Sequence, residues 1–145
     1  MRVDFYQLSR DPAEAALPLI ARKVLSDGGR LLVVSGDRDQ RERISRALWS
    51  LGPETFLANG HAGDPQEARQ PILLSDTPTA ANGAQFLAIA DGAWREGAEP
   101  FARTFFLFDD DTVQHARTVW RDLRARGGVE HFYWKQDGGR WVQAG

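Results

Sequence analysis

Three arginines, Arg117, Arg121 and Arg124, stand in a segment that reads VQHARTVWRDLRAR, and guanidinium groups suit carboxylates because they bind them through paired hydrogen bonds. At roughly 100° per residue, Val113, Ala116, Val119, Trp120 and Leu123 fall within about 120° of one another, an amphipathic core stripe. Arg124, Arg117 and Arg121 follow in angular order along the border of that stripe, beside Val113 and Trp120. A basic row with an apolar edge can hold an acidic group and an aromatic or aliphatic side chain together. The ordinary alternative is a solvated charged face shared with Asp122. No nucleophile with its base stands in the segment, so the spacing predicts a docking surface and not an active site.

Other chemistry is sparse. His61, His115 and His131 are far apart, without the spacing of a metal site, and His115 falls on the polar side of its helix. Asp109, Asp110 and Asp111 could meet a cation, but a strand end followed by a helix cap explains them with less. No serine stands in a G-x-S-x-G elbow. The turn Ser35-Gly36-Asp37 lacks the glycines and the Lys-Ser/Thr pair of a phosphate-cradling loop, and no G-x-G-x-x-G follows the first strand. A nucleotide-binding enzyme is therefore kept only as the rival reading that an α/β scaffold always raises. No metal and no cofactor are expected.

The chain has 145 residues, enough for one domain with an ordinary core, and 42% hydrophobic with 26% charged residues is the balance of a globular protein. A net charge of −2 argues against coating nucleic acid by bulk electrostatics, because phosphate neutralisation needs many clustered cations. With no cysteine there is no disulfide or thiolate chemistry. No apolar run reaches the length of a membrane span and no signal peptide opens the chain, so a cytoplasmic protein is expected.

The elements that must position the arginines follow from the pattern. Val3 to Leu8 reads as a first strand, and Asp11-Pro12 as the cap of a helix that Pro18 should kink or restart before Gly28-Gly29 stops it. Leu31 to Ser35 is a continuous apolar run, as in a parallel strand covered on both faces. Asp37 or Asp39 can cap a second helix with the stripe Ile44, Ala47, Leu48 and Leu51. Trp49 lies about 140° from Ile44, off that stripe, where a large aromatic can anchor a protein partner or fold under the turn at Phe56. Thr55-Phe56-Leu57 is a short strand or packed turn, and Asn59 to Gln70 is the least structured part. Further strands are expected at Pro71 to Leu74, Phe86 to Ala90 and Thr104 to Phe108, then a helix ended by Gly127-Gly128, and a closing pair at His131 to Lys135 and Arg140 to Val142. This order predicts a single three-layer, Rossmann-like α/β domain over residues 1–145 with an open, mainly parallel sheet.

Phe5-Tyr6, Ala47-Leu48-Trp49, Thr55-Phe56-Leu57, Gln70-Pro71-Ile72-Leu73-Leu74, Leu107-Phe108-Asp109, Ala116-Arg117 with Trp120-Arg121, and Tyr133-Trp134-Lys135-Gln136 together resemble the chi subunit of bacterial DNA polymerase III holoenzyme. The resemblance spans nearly the whole chain. It implies a non-enzymatic accessory subunit of the clamp-loader complex that binds the acidic, phenylalanine-terminated tail of the single-stranded-DNA-binding protein, with the psi subunit as a further partner in some lineages. On this resemblance Arg117, Trp120 and Arg121 fall at tail-binding positions, whereas Trp49, Phe56 and Leu57 fall in the region facing psi or another partner. Two positions depart from the pattern: Ala58-Asn59 replaces a frequent Pro-His, and Val113 stands near a place where some members carry a lysine, a charge that Arg124 would have to supply.

Overall fold

In this computed structural model, which describes residues 1–9, 11–50, 57–137 and 140–144, the apolar runs become strands whose alternate residues feed two separate cores. The strands are β1 (Arg2–Gln7), β2 (Leu31–Val34), β3 (Asn59–His61), β4 (Ile72–Ser75), β5 (Phe86–Ile89), β6 (Arg103–Phe108), β7 (Glu130–Asp137) and β8 (Arg140–Gln143). The helices are α1 (Ala13–Ser26), α2 (Arg38–Trp49) and α3 (Val113–Arg126). One sheet holds all the strands in the order β3-β4-β2-β5-β6-β1-β7-β8, parallel except for β8, which returns antiparallel to β7.

Leu31, Val33, Ile72, Leu74, Phe105 and Leu107 pack with α1 and α2 on one face; Leu32, Val34, Leu73, Phe106 and Phe108 pack with α3 on the other. Each is almost fully buried, which is worth about 1.5–3 kcal/mol per side chain and explains why these runs do not alternate with polar residues. The expected three layers and central placement of β2 and β6 are thus present.

Several local expectations change. Helix α1 runs unbroken through Pro18, which is buried in its second turn, and Pro12 occupies the cap position. Asp11 is diverted: its carboxylate accepts from Gln136 Nε2, while Gln136 Oε1 accepts the N–H groups of Ser9 and Asp11, tying the β1–α1 turn to β7. Asp37 does cap α2, accepting from Asp39 N at 3.0 Å. The aspartate run does not cap α3. Asp109 Oδ1 instead accepts from Asp111 N, Thr112 N and Thr112 Oγ1, which closes a turn just before the helix. Within 59–70 the chain forms the edge strand β3 and a single 3-10 turn at Glu67–Arg69; β3 rests on backbone pairing to β4 and on Asn59, whose amide bonds Leu57 O and Ser45 Oγ. Leu51, Thr55 and Phe56 lie outside the described residues.

One buried charge pins three strands. Asp4 of β1 is 0% exposed. Its carboxylate accepts from Arg2 Nε and Nη2 at 3.1 Å, from Arg103 Nε of β6 at 2.7 Å and from Trp134 Nε1 of β7 at 2.9 Å. Burial pushes the Asp4 pKa up, but the hydrogen bonds from Arg103, Arg2 and Trp134 outweigh it, and the net displacement is below the ordinary value. A depressed folded pKa gives stability that is present above the unfolded value of about 3.9 and is lost as pH falls through the folded one. Urea denaturation should accordingly show Asp4→Ala destabilised by on the order of 3 kcal/mol at pH 7. Asp4→Asn should also be less stable than the native chain at pH 7 and should lose less stability on acidification. An Asp4→Asn curve that drops in parallel with the native one would assign acid lability to other carboxylates.

Candidate functional site

Helix α3 lies across the β6-β1-β7 part of the sheet with Ala116, Val119 and Leu123 buried, as the stripe requires. Its border does not close on the strands beneath. A groove of about 520 Å³ opens there, lined by Phe5, Phe108, Val113, Gln114, Ala116, Arg117, Trp120, Arg121 and Tyr133. The floor is aromatic: Trp120 meets Phe5 edge to face at 5.0 Å between ring centroids and Tyr133 at 6.2 Å, and Phe108 lies 6.0 Å from Tyr133. Such edge-to-face contacts hold the rings in defined orientations, so the slot is formed before anything enters it.

The rim is basic. Arg117 and Arg121 are exposed, and among the described residues neither has a carboxylate partner; Asp122 pairs with neither of them. Arg121 makes only a long contact to Thr118 Oγ1, at 3.5 Å. The Tyr133 hydroxyl donates to Gln7 Oε1, and its pKa is raised by burial and partly lowered again by the charge of Arg117. Lys135 lies 6.0 Å over the same Tyr133 ring and adds a cation on the strand side.

The structure therefore brings Val113, Arg117, Trp120 and Arg121 together at one groove and leaves Arg124 outside its lining. Burial lowers the pKa of His131 on β7, and the charge of Arg124 lowers it further. His131 packs 5.1 Å from Trp120, ring to ring, and its Nε2 is buried without a partner. Phe5, Phe108 and Tyr133 were not among the predicted site residues, because only strand register brings them under α3. The partner region is reduced as well. Trp49 is 54% exposed, as its helical angle predicts, but Leu57 is 2% exposed and packs in the α1–α2 core, so its side chain cannot present a surface; Phe56 is outside the described residues.

The crevice at the carboxyl ends of the parallel strands, where open α/β sheets take nucleotides, is lined by Asp11, Glu14, Asp37, Asp91 and Asp109. Only part of that charge is met, by Arg43 near Glu14 and Asp37 and by Arg95 on Asp91 at 2.7 Å. Burial raises the Asp91 pKa, and the Arg95 hydrogen bond with the N–H groups of Gly36 and Ala93 brings it below the ordinary value, so this carboxylate is ionised. A phosphate would meet repulsion there. His115 also proves to be structural, accepting from Trp94 N at 3.1 Å and holding the 92–101 connection against α3. No group of three or more metal-ligating side chains occurs among the described residues, and no helix is long and apolar enough to cross a membrane.

Floor and rim should separate on mutation. Trp120→Ala removes half-buried ring area and should cost about 2 kcal/mol of stability, below the range for a fully buried aromatic. Arg117→Ala should change it by no more than about 0.5 kcal/mol. Chemical denaturation of the two variants checks this, and an equal loss for both would make Arg117 part of the core.

A probable DNA polymerase III subunit chi from Rickettsia prowazekii (strain Madrid E) is 27% identical over 84 residues, which is 58% of this chain and 51% of that protein. The chain thus aligns with about half the length of that curated relative. The family model for DNA polymerase III chi subunit, HolC, matches residues 1–130, which takes in the groove except for Tyr133 at its edge. The chain belongs to the DNA polymerase III chi subunit family.

Proposed function

We propose that this chain is a non-catalytic accessory subunit of the replicative DNA polymerase III clamp-loader complex that holds the acidic C-terminal tail of the single-stranded-DNA-binding protein in the α3 groove. The observation that carries this reading is the pair Arg117 and Arg121, without carboxylate partners, on the rim of a preformed aromatic slot. The tail offers aspartates, a terminal carboxylate and a phenylalanine ring. The ring enters between Trp120, Phe5 and Tyr133, and the carboxylates stay on the rim, where guanidinium groups bind them by paired hydrogen bonds. Val113 completes the apolar wall where the helix turns from arginine row to core. Direct nucleic-acid binding is weak on this reading, since the net charge is −2.

Fluorescence titration with the tail peptide tests the assignment. A short peptide on a site of this size should bind in the micromolar range, roughly −8 kcal/mol at 1 μM, and more weakly as salt rises. Arg117→Ala should cost about 1–3 kcal/mol of binding, as loss of a charge-assisted hydrogen bond does, and deleting the terminal phenylalanine at least as much. Unchanged affinity in Arg117→Ala and Arg121→Ala would rule the groove out.

Trp49 supports a second contact. Its exposed ring, off the stripe that buries Ile44 and Leu48, suits a psi subunit or another protein of the clamp-loader complex. Trp49→Ala should release one partner in a pull-down from native extract without lowering thermal stability. Retention of every partner together with a collapsed melting temperature would make the residue structural.

A further inference from the structure

The sheet has a second aromatic and arginine surface on its other side. Phe5 pairs in register with Tyr133, and Tyr6 with Trp134, so the pleat sends the first pair under α3 and the second pair to the α1 side. Helices α1 and α2 do not cover that half of the sheet. A groove of about 420 Å³ remains between α1 and the β7–β8 hairpin. Tyr6 and Trp134 stack at 6.1 Å, Trp141 of β8 stands edge on to Tyr6 at 4.9 Å, and Leu19 on the rim is 55% exposed.

Two guanidinium groups border this aromatic floor and share a single carboxylate. Arg2 and Arg103 both bind Asp4, so within this lining one positive charge is left over; Glu130, the register partner of Arg2, lies outside the lining and forms no ion pair with it, and each guanidinium is also held over a ring, Arg2 on Phe132 at 4.2 Å and Arg103 on Phe105 at 4.5 Å. Lys23 of α1 and Asp27, its C-cap, also line the groove and cancel in its formal charge without forming an ion pair. The arginines keep 36% and 23% of their side chains exposed, with donors that Asp4 does not take. One surplus cation fixed beside an apolar slot matches one carboxylate adjacent to one ring, and a chain-terminal phenylalanine carries both in a single residue. A nucleic-acid strand fits less well, since successive phosphates need several cations.

We propose that this groove is a second peptide site, taking the terminal aromatic residue of a protein partner with its ring on Tyr6 and Trp141 and its α-carboxylate at Arg103 and Arg2. The site takes the same chemistry as the tail groove on the opposite face but shares none of its residues.

The five indole N–H signals of the ¹⁵N-labelled chain separate the two sites, because Trp120 reports the α3 groove while Trp134 and Trp141 report this one. The probe is a peptide of four aspartates ending in phenylalanine. Its titration should move Trp134 and Trp141, with the response surviving in Arg117→Ala, weakened at least tenfold by Leu19→Asp on the exposed rim, and abolished when the peptide's C-terminus is amidated. Trp120 should be indifferent to Leu19→Asp. Static Trp134 and Trp141 signals at millimolar peptide, or signals that move with oligo-dT and not with the peptide, would overturn the proposal. A response at Trp120 alone would uphold the tail groove and reject this site; a response at Trp134 and Trp141 alone would do the reverse.

Discussion

The buried carboxylate of Asp4 fixes the register on which the rest of the molecule depends. β1 lies between β6 and β7 in the sheet, and Asp4 is bonded from its own strand and from each neighbour, by Arg2, Arg103 and Trp134. A one-residue slip would turn every side chain of β1 to the opposite face. Phe5 would leave the floor of the α3 groove and Asp4 would enter the α3 core among Val34, Phe106 and Val119. Apolar residues alone could tolerate that error, since in β1 and just after it Val3 and Phe5 on one side face Tyr6 and Leu8 on the other. A charge with four specific donors cannot, because the uncompensated ion would cost several kcal/mol.

Charge is then distributed by place and not in bulk. The net value is small, yet the carboxyl end of the sheet gathers aspartates while the free border of α3 gathers arginines. The two sites are unlike in how they treat their neighbours. Carboxylates in the crevice are partly paired with Arg43 and Arg95, and Asp91 is further bonded by backbone N–H groups, so that end of the sheet is structurally occupied. Arg117 and Arg121 carry no such compensation. Like charges held close without a counter-ion lower stability slightly in the free protein, and a bound carboxylate relieves that repulsion.

Much of this was legible in the residues. The runs at β2 and β6 lack alternation, and only a doubly covered strand demands that, so the layered sheet followed directly. The α3 stripe put Val113, Arg117, Trp120 and Arg121 on one border because helical geometry is local. Arg124 belongs to the same angular border but sits a turn farther along the axis, beside His131, and a wheel projection discards axial distance. Phe5, Phe108 and Tyr133 are brought in by pairing between strands up to 128 residues apart in sequence, and no local period encodes that register. Strand β3 has the sequence Asn-Gly-His and is held by the edge it meets, so it carries no apolar signature of its own. Leu57 was read as part of a partner surface when its burial serves the core under α2.

The division between ring slot and arginine rim also sets how a tail would be held. Burying a phenylalanine side chain is worth about 1.5–3 kcal/mol, and losing a charge-assisted hydrogen bond at the rim costs about 1–3 kcal/mol. On the proposed function both parts would contribute to the lifetime of the complex. Arg117 and Arg121 would also act before contact, attracting an acidic segment from beyond van der Waals range and orienting it so that its ring arrives at Trp120. This partition has a structural requirement: the slot has to exist in the free protein, because a short peptide has little binding energy left over to open one. The rings of Phe5, Phe108, Trp120 and Tyr133 meet that requirement by bracing one another, and Tyr133 is fixed further by its hydroxyl on Gln7. On the proposed function, rigid aromatic packing under α3 is thus what would let two exposed arginines be useful.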